Sequence, residues 1–400
     1  MKIDHWKQFW KIAGLVCLVG FLIGAGKADT LAAQAETEQS ATETEQMDTQ
    51  QTDVKQIVEN MTLKEKVAQL FVITPETLTG GGAATKVTSE LKSKYKKYPV
   101  GGFILMGSNI TGVSQIKKLN KALKSMSVNT VGVIPFIAVD EEGGTVARIA
   151  SKSAFGVKNV GNMSAIGATK KASKAYSAGK YIGTYLAKYG FNVDFAPVAD
   201  IWSNPSNTVV KYRSFGSSSS LVSKMVGKYV DGLHAAGIAS TLKHFPGHGN
   251  TTEDSHLGMA VSLRKLSQLR NSELKPFKKG IAKGTEFIMV GHISLPNVTG
   301  SNVPATLSKK IVTKILRNEL SYDGIVITDA MSMSAITDSY SSGQAAVKAI
   351  QAGCDMILAP ENFVQAYNAV LSAVRSGKIS ESRLDKSVTR IVKLKLEMAG

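Results

Sequence analysis

From residue 54 onward, short apolar runs alternate with longer stretches in which apolar residues recur at helical spacing. The short runs are Leu70 to Thr74, Val100 to Met106, Phe136 to Val139, Phe191 to Pro197, Ile238 to Leu242, Phe287 to Val290, Ile325 to Thr328 and Met356 to Leu358. Helical patterns lie between them over residues 114–127, 170–189, 221–236, 265–283, 308–319 and 342–352. Residues 54–69 precede the first run, and 362–376 and 381–398 follow the last. Strands alternating with helices imply parallel pairing through helical crossovers. Eight such units predict an α/β fold, a single-domain (β/α)8 TIM-like barrel over residues 54–400. An open doubly wound sheet is the competing architecture.

In a closed parallel barrel the βα loops converge at the C-terminal ends of the strands, and reactive groups gather there. Asp140, Asp200, the pair Lys243 and His244, His292 and Asp329 each follow one of the runs. One such residue alone reads as a turn or cap. Five of eight strand ends carrying one read as a site.

The densest cluster is Lys243-His244-Phe245-Pro246-Gly247-His248-Gly249-Asn250-Thr251-Thr252-Glu253-Asp254-Ser255-His256, with three of the six histidines. His244 and His248 are four apart, a spacing that binds zinc when a helix stacks the rings. Pro246, Gly247 and Gly249 break any helix here, so no metal site is expected. Asp254 and His256 are two apart on a polar loop. A carboxylate beside an imidazole fixes its tautomer and raises its pKa toward neutrality, which suits a general acid/base. A histidine satisfied within its own loop is the bland alternative.

Ahead of the barrel the composition changes. Lys2, Lys7 and Lys11 precede Ile12 to Gly26, fifteen residues without a charge, and small residues follow to Ala35. Residues 1–35 are expected to be a signal peptide or an uncleaved N-terminal anchor. Residues 36–53 carry six acids and no base, the composition of a disordered acidic linker. With a net +2 on residues 1–35 and −6 on 36–53, a chain of net +17 leaves +21 on the remainder. Such an excess favours anionic surroundings. Export argues against nucleic acid and for an anionic cell wall or membrane surface. Cys354 is the one cysteine beyond the leader, so no intrachain disulfide is expected there. An exported chain of this kind suits a Gram-positive bacterium, secreted or held at the wall or membrane.

Residues 243–256 resemble the signature of the bacterial family 3 glycoside hydrolases of the β-N-acetylglucosaminidase type, Lys-His-Phe-Pro-Gly-His-Gly followed by Asp-Ser-His. Further matches occur in the family's order. They are Asp140-Glu141-Glu142-Gly143-Gly144 with Arg148, Phe195 to Asp200, Arg213-Ser214-Phe215-Gly216, Met289 to His292 and Thr328 to Met333. The resemblance covers residues 54 to 397. It implies that Asp329 is a nucleophile forming a covalent glycosyl-enzyme, and that His256 is the acid/base with Asp254 as its partner. It implies that Asp140, Arg148, Arg213, Lys243 and His244 bind the sugar, with His248 in the same loop. It further implies exo-acting, retaining hydrolysis without a cofactor, and export together with the basic charge points to GlcNAc-containing wall glycans or muropeptides as the substrate.

Thr145 stands where many relatives carry Arg, and Asn250 where many carry Asp; both bear on the leaving-group side. No additional C-terminal domain is expected after the last barrel helix. Two other functions fit the same residues: a phosphorylase, because an imidazole acid/base tolerates an incoming phosphate, and a wall-binding barrel with little catalysis.

Overall fold

The computed structural model describes residues 52–251 and 258–399. The expected leader lies outside them, as do residues 36–51 of the acidic linker and the pair Asp254 and His256. The chain divides into two compact units, one ending at Gln56 and one beginning at Ile57. All the strands belong to the second.

Ten strands are present among the described residues: β1 (Phe71–Ile73), β2 (Gly102–Ile104), β3 (Phe136–Val139), β4 (Val193–Asp194), β5 (Thr241–Phe245), β6 (Ala260–Val261), β7 (Phe287–Val290), β8 (Ile293–Ser294), β9 (Ile325–Ala330) and β10 (Met356–Leu358). Eight form one parallel sheet in the order β4-β3-β2-β1-β10-β9-β7-β5. Its two ends approach through single bridges, Val193 with Ala239 and Val198 with Lys243. The result is a nearly closed parallel barrel, which decides against the open sheet. β6 and β8 pair separately in a small two-stranded sheet.

The apolar runs become strands because both their faces are covered, by the barrel interior and by the helices. Helix boundaries follow local chemistry. The expected helix over 54–69 breaks at Thr62, whose extended backbone and hydroxyl cap the helix Leu63–Gln69 in a reciprocal box with Glu65. The expected helix over 265–283 is likewise two, Leu266–Asn271 and Leu274–Ile281. The helices Ala172–Tyr189 and Ser219–His234 approach closely because a glycine on each faces the other's backbone. A Cβ at Gly179 would stand 2.4 Å from the Tyr229 carbonyl oxygen, and one at Gly232 2.3 Å from that of Tyr176.

Two strands run further than the apolar pattern. β5 extends through Lys243 and His244 to Phe245, and β9 through Asp329 to Ala330. Lys243, His244 and Asp329 were expected to follow their strands, and instead lie within them. The reason is the neighbouring ladder: Phe245 still registers with Val290, and Leu358 with Ala330. Hydropathy cannot show a charged strand position whose counter-charge arrives from a distant loop.

The opposite mouth, at the strands' N-terminal ends, is closed by Lys395 from the final helix Glu381–Ala399. Its ammonium lies 2.6 Å from Gln69 Oε1 and 5.2 Å from the centre of the Phe136 ring. Gln69 in turn donates to the Pro99 carbonyl at 2.7 Å. Burial pushes Lys395 down to about 7, against the partial opposition of the Phe136 ring face. An unfolded lysine titrates near ~10.4, so between about 7 and that value the unfolded chain binds the extra proton. The penalty is full below pH 7 and relaxes as pH rises. Lys395→Met should therefore be most favourable, relative to the parent, at pH 7, and its advantage should shrink by up to about 1 kcal/mol per pH unit toward pH 8.5. Urea denaturation of both proteins at three pH values checks this; a gap independent of pH would show that Lys395 stays charged.

Candidate active site

Three consecutive acids leave β3 and take three different tasks. Glu141 is fully buried and accepts from the backbone N–H groups of Arg148, Ile149 and Ala150 at 2.6, 2.9 and 2.8 Å. Tyr185 donates its hydroxyl to the same carboxylate at 2.8 Å. These bonds fold the loop back on itself and fix Arg148. Asp140 and Glu142 share the ammonium of Lys243, at 2.7 and 2.6 Å. Glu142 also receives Arg213 as a two-pronged pair, Nε and Nη2 each at 2.8 Å. Lys243 and Glu142 are both 2% exposed, so neither charge is relieved by water. Burial alone would raise the Glu142 carboxyl; Arg213 first and Lys243 second hold it far below the ordinary range. Burial would likewise lower Lys243, and Asp140 and Glu142 keep it protonated.

Asp200, past β4, is the second organising acid. It is fully buried and accepts from His244 Nδ1 at 2.7 Å, from the His244 backbone N–H at 3.2 Å and from the His248 N–H at 2.7 Å. The His244 side chain lies against Arg213, with Nε2 3.4 Å from Nη2. His248 is buried too, and burial lowers its pKa. Its Nδ1 lies 2.8 Å from the Thr251 hydroxyl. Asn207 holds this stretch from below, donating to the carbonyls of His248 at 3.0 Å and Thr251 at 2.9 Å. Only glycine fits at 249, where a Cβ would meet the Ile201 carbonyl oxygen at 1.9 Å.

Asp329 stands near the C-terminal end of β9, half-buried, with Oδ1 accepting from the Ala330 N–H at 2.8 Å. Burial would raise its pKa, but His244, His292 and Lys243 together pull it below the usual carboxylate range. It is therefore an ionised carboxylate with partial access to solvent. His292 anchors the adjoining backbone: Nε2 lies 3.0 Å from the Ala330 carbonyl oxygen and Nδ1 2.8 Å from the Thr306 hydroxyl.

Asp140, Arg213, Lys243, His244 and His248 thus form one connected network, and Asp329 lies in its field. Arg148 is half-buried beside it, and its guanidinium has no ion-pair partner among the described residues. Asp254 and His256 lie outside the described residues, beginning three positions past Thr251. Asp200 and His292, placed on the rim by the sequence without a role, belong to the site, and so do Glu142 and Asn207, for which the sequence sets neither place nor role. The first three carried a signal, an acid before a glycine pair or a polar residue after an apolar run; Asn207 carried none.

The sequence model described as "Glycosyl hydrolase family 3 N terminal domain" matches residues 62–394. A beta-hexosaminidase of Pseudoalteromonas piscicida is 37% identical over 343 residues, covering 79% of this chain and 56% of that protein. A beta-hexosaminidase of Mycobacterium tuberculosis is 33% identical, covering 83% of this chain and 82% of that protein. The solved structure of a glycoside hydrolase family 3 beta-N-acetylglucosaminidase from a Paenibacillus species superposes with a TM-score of 0.78 at 38% identity. That likeness covers 85% of this chain and 63% of the other. This chain therefore spans little more than half the length of the first relative.

The coupling of Lys243 to Glu142 is measurable. Removing one partner of a buried ion pair costs about 3–5 kcal/mol, because the other charge is stranded. Lys243→Met and Glu142→Gln should each fall in that range by urea denaturation, and the double variant should cost clearly less than their sum. Simple additivity would mean that the pair does not organise the site.

Proposed function

The chain belongs to glycosyl hydrolase family 3, and on that premise we propose that it is an exo-acting, retaining β-N-acetylglucosaminidase. The observation that carries the proposal is Asp329: an ionised carboxylate, half-buried at the end of a barrel strand and ringed by His244, His292 and Lys243. A carboxylate of that kind can attack an anomeric carbon from one face of a pyranose. The loop stem at His248 to Thr251, held by Asp200 and Asn207, leads in three further residues to Asp254 and in five to His256.

In the first half-reaction Asp329 forms the bond to the anomeric carbon as the glycosidic bond breaks, and His256 gives its proton to the leaving oxygen. In the second, neutral His256 takes a proton from water, the water oxygen displaces Asp329, and a sugar of retained configuration leaves. Asp254 holds the imidazole in its tautomer. A neutral imidazole in place of a second carboxylate spares the site a second negative charge facing Asp329. Asp140, Arg148, Lys243, His244 and Arg213 surround the sugar's hydroxyls and acetamide, with His248 supporting them. Among these cations Arg148 is the one left unpaired by the described residues, and so the readiest donor to an incoming group. The spare hydrogen-bonding capacity of Arg213 is small, since Glu142 takes its fork.

The relatives' names support a terminal N-acetylglucosamine as the group removed, and the sequence supports peptidoglycan-derived fragments, cleaved outside the cytoplasm, as the substrate. The basic leader, the acidic spacer and the +21 charge of the remainder support that location.

Asp329→Asn should lower turnover of an aryl β-N-acetylglucosaminide by about 10³-fold or more, and His256→Ala by about 10²–10⁴-fold. Proton NMR of the first product should show the β-anomer. Near-parental turnover in Asp329→Asn would end the assignment. Release of N-acetylglucosamine from the aryl compound but not from purified muropeptides, by mass spectrometry, would end only the wall assignment.

A further inference from the structure

Away from the barrel mouth, a groove of about 770 Å³ runs between the helices Ser219–His234 and Leu274–Ile281. Its walls carry Lys224 and Lys228 on the first helix, Lys275 and Lys279 on the second, and Lys283 in the turn just beyond it. The spacing is regular. Lys224 and Lys228 are i and i+4, as are Lys275 and Lys279, each pair about 6 Å apart along its axis at 1.5 Å per residue, and Lys283 follows in the turn after the second helix. Like charges stacked at i,i+4 each cost a helix a few tenths of a kcal/mol, and here the cost is incurred on both walls of one groove.

One acid answers the five lysines. Asp231 pairs with Lys228 at 2.9 Å and with Lys283 at 3.0 Å. Lys224, Lys275 and Lys279 are exposed and have no ion-pair partner among the described residues. The groove is also shaped to hold them. Gly227 lies under Lys279, and a Cβ there would be 3.1 Å from its Cγ and 3.2 Å from its Cε. The absence of a side chain at 227 lets the Lys279 stem rest on the neighbouring helix.

We propose that this groove binds a linear polymer of phosphodiester-linked units. Ammonium groups are compact point charges that bind phosphate without a fixed orientation, and the cations lining the groove are all lysines. Two columns of cations along a trough fit a strand with repeated charges; a flat bilayer would reach only the rim. The positive end of the helix Ser219–His234 adds to the same field at one end of the groove. The preference for a wall-type polymer over a nucleic acid rests on the extracytoplasmic location proposed above; the groove's attraction for chained phosphates does not. Binding there would hold the enzyme beside its glycan while leaving the barrel mouth free.

The test uses the full chain and poly(glycerol phosphate) as probe, with affinity followed by isothermal titration across a salt series. Lys224→Gln/Lys275→Gln/Lys279→Gln should weaken binding at least tenfold and lower the salt slope by about 2. Gly227→Met, which alters no charge, should weaken it too by displacing Lys279. A charge-matched control, Lys92→Gln/Lys94→Gln/Lys96→Gln on the exposed face of the helix Ser89–Lys97, should leave most of the affinity. Aryl glycoside turnover should be unchanged in all three variants, so this test stands or falls apart from the catalytic assignment. Equal losses in the control and groove variants would overturn the proposal in favour of diffuse charge. Equal affinity for polyglutamate, or tighter binding to phosphatidylglycerol vesicles than to the polymer, would overturn the phosphodiester assignment.

Discussion

Residues 192–199 and 239–243 close the barrel through backbone hydrogen bonds, among them the Asp194 N–H to the Ala239 carbonyl at 2.9 Å and the Ala199 N–H to the Lys243 carbonyl at 2.7 Å, and that seam is where the buried charges lie. Lys243 on β5 reaches Asp140 and Glu142 from the β3 loop. Arg213, beyond β4, grips Glu142 and touches His244. Asp200, also beyond β4, takes three donors from β5 and the turn after it. Side chains thus add to the backbone bonding across the seam. Backbone bonds are sequence-tolerant, whereas these side-chain contacts require particular residues, so the site's geometry is specified along the same seam that closes the barrel.

The site also shows how one region keeps carboxyls in opposite states. Asp194 is fully buried with one oxygen accepting from the Glu141 N–H and the other unpaired. Burial pushes its pKa well above the ordinary value. Glu142 and Asp200 are as deeply buried and shifted the other way, because cations and donors face both oxygens. Asp329 belongs with the second group but is the one with partial access to solvent. Depth does not separate the group that can react from those that hold the frame. Partner geometry and access do.

The lysine columns beside Gly227 stand apart from this network. The seam's charges are compensated almost one for one, while those of the groove are left largely uncompensated. A strongly basic member of glycosyl hydrolase family 3 thereby carries two kinds of cation: buried ones that position carboxylates, and exposed ones that bring net charge to the surface.

The sequence by itself determined the strand–helix alternation, because strands covered on both faces must be short and apolar and the helices between them amphipathic. β3, β7 and β10 fall where the pattern puts them. It also determined which rim is polar, since Asp140, Asp200, Lys243, His292 and Asp329 all adjoin apolar runs. The tertiary structure alone decided that Lys243, His244 and Asp329 lie inside strands, because their partners come from distant loops and cancel charges that hydropathy counts as exposed. It decided the roles of Glu141, Glu142 and Asn207, whose neighbours along the chain are not the groups they bind. It also decided that lysines five decades of residue numbers apart, on Ser219–His234 and Leu274–Ile281, share one groove, since spacing along a helix is local but the packing of two helices is not.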